Sequence, residues 1–315
     1  MTELSQREKD YLIEKLQKGE QLPDDFKYKL FPTTQKEYEL VYAGKMRKED
    51  ILADEDGVTA APLQIERTYN GDRESYPDGW KNMIVFGDNL QFLKTIYKNE
   101  DPLIKNKVKG KVKLIYIDPP FATESDFSGS EGQKAYTDKA KDAEFVEFIR
   151  RRLIVARELL ANDGSIFIHL DWKKCHYVKI VLDEIFGEKN FLNEIVWYYN
   201  DKFATGGKAL DKNHDIIYRY RKSKEFVGNE VRIPKDKKTR RALRKKVDGK
   251  TVDVIDESGN KIYVEYHDKV IDDVWQIGRT VSKNESLGYP TQKKEKVENK
   301  YPMKGVMYYP CQNKF

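Results

Sequence analysis

The sequence predicts an α/β fold built on a parallel sheet, and three observations support this prediction. Short apolar runs alternate with helical patterns between residues 83 and 199, as in chains whose strands are covered by helices. Residues 112–117 (VKLIYI) form a near-continuous apolar run, which is typical of a strand buried on both faces. With 315 residues, 39% of them hydrophobic and 12% aromatic, the chain can form one main domain with a smaller attachment.

The first 80 residues are expected to form a helical N-terminal extension and a linker. Ser5 and Glu8 have the spacing of a capping box and precede a helical apolar pattern. We predict a second helix over residues 34–43, ended by Gly44. Residues 54–79 are rich in turn formers and are interpreted as a linker or a wrapping strand.

Residues 81–199 carry the alternating pattern and are predicted to form the core domain. The predicted elements are strands at 84–86, 112–117 and 166–170, helices at 90–97, 145–160 and 177–186, and an extended segment at 191–199. The alternation ends in residues 200–288, which are polar and basic. We interpret this region as an insertion beside the sheet, with short strands at 214–220 and 261–266. Residues 289–315 show no clear pattern.

The charge of the chain is modest overall but unevenly placed. The net charge is +5, from 58 basic and 53 acidic residues, yet residues 234–250 hold nine Lys or Arg against two Asp. Such a run is usually a solvated face or a flexible loop. It indicates a nucleic-acid contact only if the rest of the chain points the same way.

Composition excludes several classes of protein. Two cysteines, Cys175 and Cys311, and four histidines provide neither a disulfide framework nor a His/Cys cluster. We therefore expect a reduced, cytoplasmic protein without a metal. No apolar run approaches the roughly 20 residues that cross a bilayer, and the polar start is no signal peptide, so no membrane partner is expected.

Four residues directly after the strand at 112–117 are the first candidate site. Asp118, Pro119, Pro120 and Phe121 lie where an open α/β sheet binds its ligands. The two prolines fix the backbone of a tight loop. The Asp118 carboxylate and the Pro119 carbonyl are acceptors, and Phe121 offers a flat face, so together they suit a planar group that carries an NH2. A plain Pro-Pro turn capped by Asp is the alternative, but the position at a strand end favours the site.

Two weaker candidates lie at other strand ends. Gly87, Asp88 and Asn89 follow the strand at 84–86, and Asp88 can accept a hydrogen bond from an adenine or ribose donor. Capping of the next helix by Asp88 or Asn89 explains the same residues almost as well. His169, inside the apolar run 166–170, is interpreted as a satisfied core histidine rather than a catalyst.

The motifs resemble, in order and spacing, the amino-directed, site-specific DNA methyltransferases with permuted motif order. That family includes adenine-N6 enzymes and the modification subunits of type III restriction systems. The matching segments are GDNLQFLKTI, LIYIDPPF, RRLIVARELLANDGSIFIHLD, LDEIFGEKNFLNEIVWY, DDVW and YPTQK, between residues 84 and 293. DPPF alone is moderately specific, whereas the ordered set is highly specific. The resemblance implies a Rossmann-like class I methyltransferase sheet in permuted order.

The resemblance also implies a reaction. A methyl group passes from S-adenosylmethionine to the exocyclic amine of a base flipped out of double-stranded DNA, with adenine N6 favoured and cytosine N4 as the neighbouring target. Asp118 and the Pro119 carbonyl would accept hydrogen bonds from the amine, and Phe121 would stack on the base. Trp197 or the neighbouring Tyr198 would close the other face, although sheet core explains Trp197 equally well.

Further residues receive roles through the same resemblance. The implied cofactor-binding residues are Phe86, Gly87, Asp88, Asn89, Asp118, Thr291, Gln292 and Lys293. Residues 200–288 correspond to a target-recognition region, so its basic run becomes a predicted DNA contact through Arg240, Arg241, Arg244 and Lys245. A restriction subunit or a second copy of the chain is the protein partner that the resemblance suggests.

One segment departs from the family pattern. After YPTQK the family continues into an Asp-Pro-Phe-x-Gly-Ser-Gly-like loop around the methionine part of the cofactor, and residues 294–315 contain no such loop. We therefore expect residues 289–315 to be a truncated cofactor-proximal segment. The sheet should then lack strands beside those at 84–86 and 112–117, with marginal stability and weak cofactor binding as the result. A DNA-binding remnant or partner subunit without catalysis is the alternative, and methylation of RNA or of a protein glutamine is a third.

Overall fold

The computed structural model describes residues 5–20, 26, 39–69, 74, 76, 80–119, 126–128, 134–137, 142–199, 201, 208, 210–278 and 307–310. The chain divides into two compact units, residues 1–40 and 41–315. In the first unit, helix α1 (Gln6–Gln17) begins after Ser5. The Glu8 backbone N–H donates to the Ser5 hydroxyl, and the Ser5 N–H donates to the Glu8 carboxylate, so the predicted capping box is confirmed.

The second unit contains the remaining elements. Its helices are α2 (Lys48–Leu52), α3 (Asn89–Lys98), α4 (Asp142–Leu159) and α5 (Cys175–Phe186). Its strands are β1 (Val112–Asp118), β2 (Asp126–Ser128), β3 (Lys134–Thr137), β4 (Leu160–Leu170), β5 (Phe191–Tyr198), β6 (His214–Arg221), β7 (Arg232–Ala242), β8 (Arg244–Val247), β9 (Lys250–Asp253), β10 (Tyr263–Val270), β11 (Val274–Gln276) and β12 (Met307–Pro310). The elements predicted at 90–97, 112–117, 145–160, 166–170, 177–186 and 191–199 are confirmed, with ends that differ by a few residues.

A six-stranded sheet in the order β11-β5-β6-β4-β1-β12 forms the centre of this unit. β1 runs parallel to β4 and β12, and β11 runs parallel to β5, whereas β6 runs antiparallel to both β4 and β5. The sheet is therefore mixed, and the prediction of a parallel sheet is wrong on this point. The interpretation of residues 214–220 as part of an insertion beside the sheet is also wrong. Ile217, Tyr218 and Tyr220 of β6 are almost fully buried, as the interior of a sheet requires.

Two apolar clusters hold the sheet and its helices together. Alternate strand residues point to the same face, and one face carries a cluster of Tyr116, Phe167, Ile195, Trp197, Tyr199, Ile217, Trp275 and Ile277. A second cluster joins α2, α3 and α4 through Ile51, Leu90, Phe92, Leu93, Ile96, Ile104, Val108, Ile154, Val155 and Leu159. The first cluster matters for function, because the candidate site continues the same face beyond its end.

Two predicted elements are wrong. Residues 84–86 form no strand, and the side chains of Ile84 and Phe86 are 97% and 91% exposed. A strand needs a neighbour for its backbone hydrogen bonds, and no strand in the described ranges pairs with this segment. Residues 39–43 are not helical either, and the short helix α2 follows instead; residues 34–38 of the second predicted helix lie outside the described residues.

The linker after α2 is fixed to the helices rather than loose. Asp56 has no exposed side-chain surface and forms ion pairs with Lys94 of α3 and Arg151 of α4. Arg151 Nε donates to Asp56 Oδ2 over 2.9 Å, and Lys94 Nζ also donates to the Val58 carbonyl over 2.7 Å. The start of the linker is therefore held against the helical layer through buried charges, and its residues 54–69 form no strand.

β12 takes a place that the sequence analysis expected to be empty. It lies parallel to β1, from Ile115 opposite Met307 to Asp118 opposite Pro310. β1 is therefore an interior strand, whereas a missing neighbour was expected there. The expected truncation of residues 289–315 stays a prediction.

Two antiparallel ribbons occupy the region after β6. β7 pairs with β10, and β8 pairs with β9. β10 overlaps the strand predicted at 261–266 from Tyr263 onward and extends to Val270. Among the residues that the structure describes, no helix has the length and apolar character needed to cross a membrane.

Candidate active site

The register of three strands brings Asp118, His169 and Asp215 together. β1 and β4 pair Ile117 with Ile168, so Asp118 and His169 come next on adjacent parallel strands. Asp215 lies near the start of β6, which runs antiparallel beside the end of β4. His169 Nδ1 lies 3.4 Å from Asp118 Oδ1, and His169 Nε2 lies 3.2 Å from Asp215 Oδ2. The carboxyl end of the central strands therefore carries a carboxylate–imidazole–carboxylate row.

Asp118 lies at the end of β1, as the sequence predicts. Its side chain is 17% exposed, and the following Pro119 is buried. A carboxylate in this position is shielded from most of the solvent but still open to a ligand. Pro120 and Phe121 lie outside the described residues, so the four-residue site is described only in its first half.

A further carboxylate, Asp171, follows β4 at the same edge of the sheet. Burial raises the pKa of Asp171, and the nearby charge of Asp215 adds to this, while the Lys173 N–H that donates over 3.0 Å opposes it. The site is therefore strongly acidic. The described residues nevertheless contain no His/Cys/Asp/Glu group arranged to hold a metal ion.

The aromatic pair at the end of β5 is divided between core and surface. Trp197 is 2% exposed, its indole N–H donates to the Ile277 carbonyl over 2.7 Å, and its ring centroid lies 5.4 Å from that of His169. Tyr198, the next residue, is 39% exposed. Trp197 thus lies in the sheet core on the face of His169, whereas Tyr198 points to the opposite face and is half-exposed there. The base-stacking role of either ring stays a prediction.

Asp88 caps helix α3, as the alternative interpretation held. Its Oδ1 accepts the Gln91 N–H over 2.9 Å, and its Oδ2 lies 3.5 Å from Arg152 Nη2. Asn89 is buried, and its side-chain oxygen accepts from Arg152 Nε over 2.6 Å. The Asp88 side chain remains 40% exposed, so the cap leaves it open to a ligand.

Gly87 and Phe86 lie beside this cap. Gly87 has φ = +146°, which residues with a side chain rarely adopt, and open space lies where a Cβ would stand. Phe86 is largely exposed next to it. The other predicted cofactor residues, Thr291, Gln292 and Lys293, lie outside the described residues. That residues 291–293 lie close to residues 86–89 therefore stays a prediction.

A basic cleft of about 890 Å³ opens between the β7–β10 ribbon and the edge of the sheet. It is lined by Tyr198, Ile233, Pro234, Lys235, Lys237, Lys269, Asp272, Val274 and Gln276. The ribbon changes register between Tyr266 and Asp268, whose partners are Thr239 and Pro234, so residues 235–238 bulge from β7. The bulge brings Lys235 and Lys237 into the cleft beside Tyr198.

The four basic residues predicted to contact DNA do not form one surface. Arg240 and Arg241 are successive residues of β7, so their side chains point to opposite faces of the ribbon. The Arg240 guanidinium lies over the Tyr263 ring, 4.7 Å from its centroid. Arg244 belongs to the other ribbon, where it donates to Asp253 over 2.9 Å, and Lys245 is exposed beside it. Their contact with DNA stays a prediction.

The sequence did not reveal the roles of three residues, His169 and Asp215 beside Asp118 and Lys269 in the cleft. It indicated that His169 is a core histidine; the residue is fully buried, but its ring contacts two carboxylates. It gave no role to Asp215, because an Asp at the start of an apolar run is also an ordinary strand beginning. It also missed Lys269, which lies far in sequence from the basic run. Only strand pairing places these residues at the site.

Comparison with known proteins adds the family. The sequence profile of the N6/N4 methyltransferase family, described as DNA methylase, matches residues 112–300, well over half of the chain. Type II methyltransferase M.EcaI of Enterobacter cloacae is 38% identical over 149 residues, which make up 47% of this chain and 31% of that protein. The Mod subunit of the type III restriction-modification enzyme EcoP15I of Escherichia coli is 31% identical over 194 residues, with coverage of 53% and 28%.

The chain therefore spans less than a third of the length of either relative. Among solved structures, the cytosine-N4-specific PvuII DNA methyltransferase aligns with 62% of this chain and 57% of its own, at a TM-score of 0.36 and 12% identity. The assignment thus rests on sequence, and the matched region runs from β1, which carries Asp118, past β11. The chain belongs to the DNA methylase family.

Proposed function

We propose that this chain transfers a methyl group from S-adenosylmethionine to the exocyclic amine of a base flipped out of double-stranded DNA, with adenine N6 as the favoured target. The observation that carries the proposal is the place of Asp118. It is a mostly buried carboxylate at the carboxyl end of β1, next to Pro119 and inside the region that matches the family. Cytosine N4, whose amine presents the same donors, is the other target that this site accommodates.

Asp118 acts on the amine rather than on the methyl donor. An ionised carboxylate only accepts hydrogen bonds, so it binds an amine N–H and orients the nitrogen lone pair away from the base ring. The Pro119 carbonyl is the second acceptor in this proposal. The amine loses one proton as it gains the methyl group, and that proton leaves along the hydrogen bond to Asp118. Positioning and charge placement supply the catalysis, without a covalent enzyme intermediate.

The residues around Gly87 fit an adenosine group. The half-exposed Asp88 carboxylate is an acceptor for ribose or adenine donors, Phe86 offers an exposed flat face, and the open space at Gly87 allows close approach. S-adenosylmethionine would supply an activated methyl group there, and its sulfur would keep the electron pair of the broken C–S bond. The chain's own contribution is to hold the adenosine end, with Thr291, Gln292 and Lys293 proposed at the methionine end.

The basic cleft beside Tyr198 is the proposed path of the DNA strand. Lys235, Lys237 and Lys269 would contact phosphates, which fix position without reading sequence. Tyr198 at the same cleft would stack on the flipped base or on its neighbour. Arg240, Arg241, Arg244 and Lys245 would extend the contact along the ribbons.

The names of the relatives suggest a protein partner for this chain. The Mod subunit of EcoP15I belongs to a restriction-modification enzyme, and we propose a restriction subunit or a second copy of this chain as the protein partner. We also propose a reducing cytoplasm as its compartment. Cys175 is a free, buried thiol whose pKa is raised by burial, which makes it unreactive.

Replacement of Asp118 tests the proposal directly. Methyl transfer from labelled S-adenosylmethionine to duplex DNA is measured for the 315-residue chain and for Asp118→Ala. Activity is expected to fall to background, because one of the two amine acceptors is lost, while DNA affinity stays the same. Asp163→Ala is the matched control, since Asp163 lies on the same strand, β4, as His169 and pairs only with the exposed Lys113 among the contacts described. Full activity in Asp118→Ala would show that the site is misassigned.

A second assay separates the substrates. Methyl transfer to duplex DNA is compared with transfer to RNA and to protein, and the methylated base is identified in the digested DNA. N6-methyladenine is the expected product. DNA binding by a chain that neither binds S-adenosylmethionine nor transfers methyl groups would instead support a DNA-binding partner subunit.

A further inference from the structure

His169 is enclosed between two carboxylates that belong to neighbouring strands. Its side chain has no exposed surface, and its two ring nitrogens lie 3.4 Å from Asp118 and 3.2 Å from Asp215. Trp197 packs against the ring at a centroid distance of 5.4 Å, and Trp197 is itself held by its bond to the Ile277 carbonyl. A ring so enclosed cannot turn away from either carboxylate without disturbing the sheet core.

The carboxylates of Asp118 and Asp215 constrain which ring nitrogens of His169 carry a proton. A neutral imidazole has one N–H donor and one nitrogen with a lone pair, and that lone pair would face a carboxylate oxygen. A doubly protonated imidazolium donates a hydrogen bond to Asp215 from Nε2 and forms an ion pair with Asp118 on its Nδ1 side. The contact with Asp215 has the length of a hydrogen bond, and the contact with Asp118 has that of an ion pair.

The other charges at this edge favour the same form. Asp171 follows β4 directly, is mostly buried and interacts electrostatically with Asp215, so the two carboxylates at the ring have a third one nearby. The basic groups described beside this turn are Lys173, Lys174 and Lys212, and Lys212 lies over the Trp172 ring, 3.6 Å from its centroid. A positive charge on His169 offsets the repulsion between Asp118 and Asp215, since opposite charges at short range stabilise each other.

We propose that His169 is a positioning residue: as an imidazolium it bridges Asp118 and Asp215 and holds the Asp118 carboxylate in the orientation that receives the amine. The bridge itself depends only on the contacts described, whereas its use in methyl transfer rests on the proposed function. Asp215 is a positioning residue as well, because it holds the Nε2 side of the His169 ring. Neither residue touches the reacting atoms.

Nuclear magnetic resonance of the ring nitrogens tests the bridge without any activity assay. The 315-residue chain is labelled with ¹⁵N-histidine and studied at pH 7.5; its four histidines are His169, His176, His214 and His267. The His169 signals are identified by their loss in His169→Gln. We expect both ring nitrogens of His169 to be protonated, and Asp118→Asn or Asp215→Asn to convert the ring to one neutral tautomer. A neutral His169 in the unaltered chain would overturn the bridge.

Steady-state kinetics test the positioning role. A misplaced acceptor costs up to about 100-fold in rate, so His169→Leu is expected to lower kcat by roughly that factor while the KM for DNA stays within about twofold. His169→Gln, which keeps one donor group, should retain more of kcat than His169→Leu. The exposed His176→Gln on α5 is the matched control and should match the unaltered chain. Equal kcat in His169→Leu and the unaltered chain, or a loss of kcat fully matched by a loss of folded protein, would overturn the positioning role.

The two proposals fail in different ways. A doubly protonated His169 in a chain that methylates no substrate would support the bridge and contradict the proposed reaction. An active chain with a neutral His169 would support the reaction and contradict the bridge.

Discussion

Tyr198 is an aromatic residue of the cleft that solvent reaches, since it is 39% exposed while its neighbour Trp197 is buried. We expect Tyr198→Ala to weaken capture of the flipped base, because base stacking on an aromatic ring is worth about 1–3 kcal/mol. The measurement is the fluorescence of 2-aminopurine placed at the target base, which should decrease. The exposed Tyr177→Ala on α5 is the control and should leave the signal unchanged. A full signal in Tyr198→Ala would show that this ring does not contact the base.

Individual site residues differ in how well the sequence predicts them. Asp118 could be predicted because a short motif directly after a strongly apolar strand fixes its place at the end of that strand. His169 and Asp215 could not, because their contact depends on the register of three strands, one of which reverses direction. Local sequence contains no signal for such a register. Trp197 is a third case: the sequence singled it out, but it was equally compatible with stacking on the base and with packing in the sheet core.

At the level of elements, the β7 bulge concentrates charge at the cleft. We expect the combined change of Lys235, Lys237 and Lys269 to Gln to weaken binding to every duplex, whatever its sequence. Each lost phosphate contact lowers the slope of log K against log salt by about 0.9, so three lost contacts would lower it by about 3. Fluorescence anisotropy with duplex DNA at several salt concentrations provides the slope.

A matched control removes the same charge elsewhere. Lys105, Lys107 and Lys111 are exposed in the loop before β1, and their combined change to Gln should leave the slope near that of the unaltered chain. An equal decrease of the salt slope in both triple variants would mean that net charge, and not the cleft, governs DNA binding.

Elements with strong local patterns were predicted correctly, whereas those that depend on partners were not. Helices α3 and α5 have clear apolar faces, and β1 is a dense apolar run, so each was located within a few residues. Residues 84–86 have the same composition as a strand, but no described strand pairs with them. β6 shows the converse: residues 214–220 were predicted as a strand, but their polar and basic neighbourhood favoured an insertion over the interior of the sheet, where the strand pairs on both sides.

For the whole molecule, the buried charges around Asp56 join the wrapping linker to two helices. Asp56→Asn leaves Lys94 in the interior with a weakened set of partners, and loss of one partner of a buried pair costs about 3–5 kcal/mol. We expect a decrease of this size in the free energy of unfolding in urea at pH 7. Asp248→Asn is the control, since Asp248 is exposed in a turn, and it should differ by less than about 0.5 kcal/mol.

The same network predicts how stability depends on pH. Burial by itself would raise the pKa of Asp56, but hydrogen bonds from Lys94 and Arg151 outweigh it and hold the pKa below its usual value of 3.8. Because the folded pKa is lower than the unfolded one, the stabilisation is complete above about pH 4 and is lost as the pH falls further. Urea unfolding between pH 5 and 3 should therefore show a steeper decrease for the unaltered chain than for Asp56→Asn. Parallel curves would contradict this role of Asp56.

The place of β6 in the sheet has a consequence for the order in which a newly made chain can organise itself. β1 and β4 leave the ribosome first and can pair at once, but β5 follows and has no direct bond to β4. Both β4 and β5 keep an open edge until β6 arrives and joins them antiparallel on its two sides. During that interval the nascent chain exposes strand edges that invite wrong partners. β6 also carries Asp215, so the arrival of the strand that connects β4 with β5 completes the carboxylate row at His169 as well.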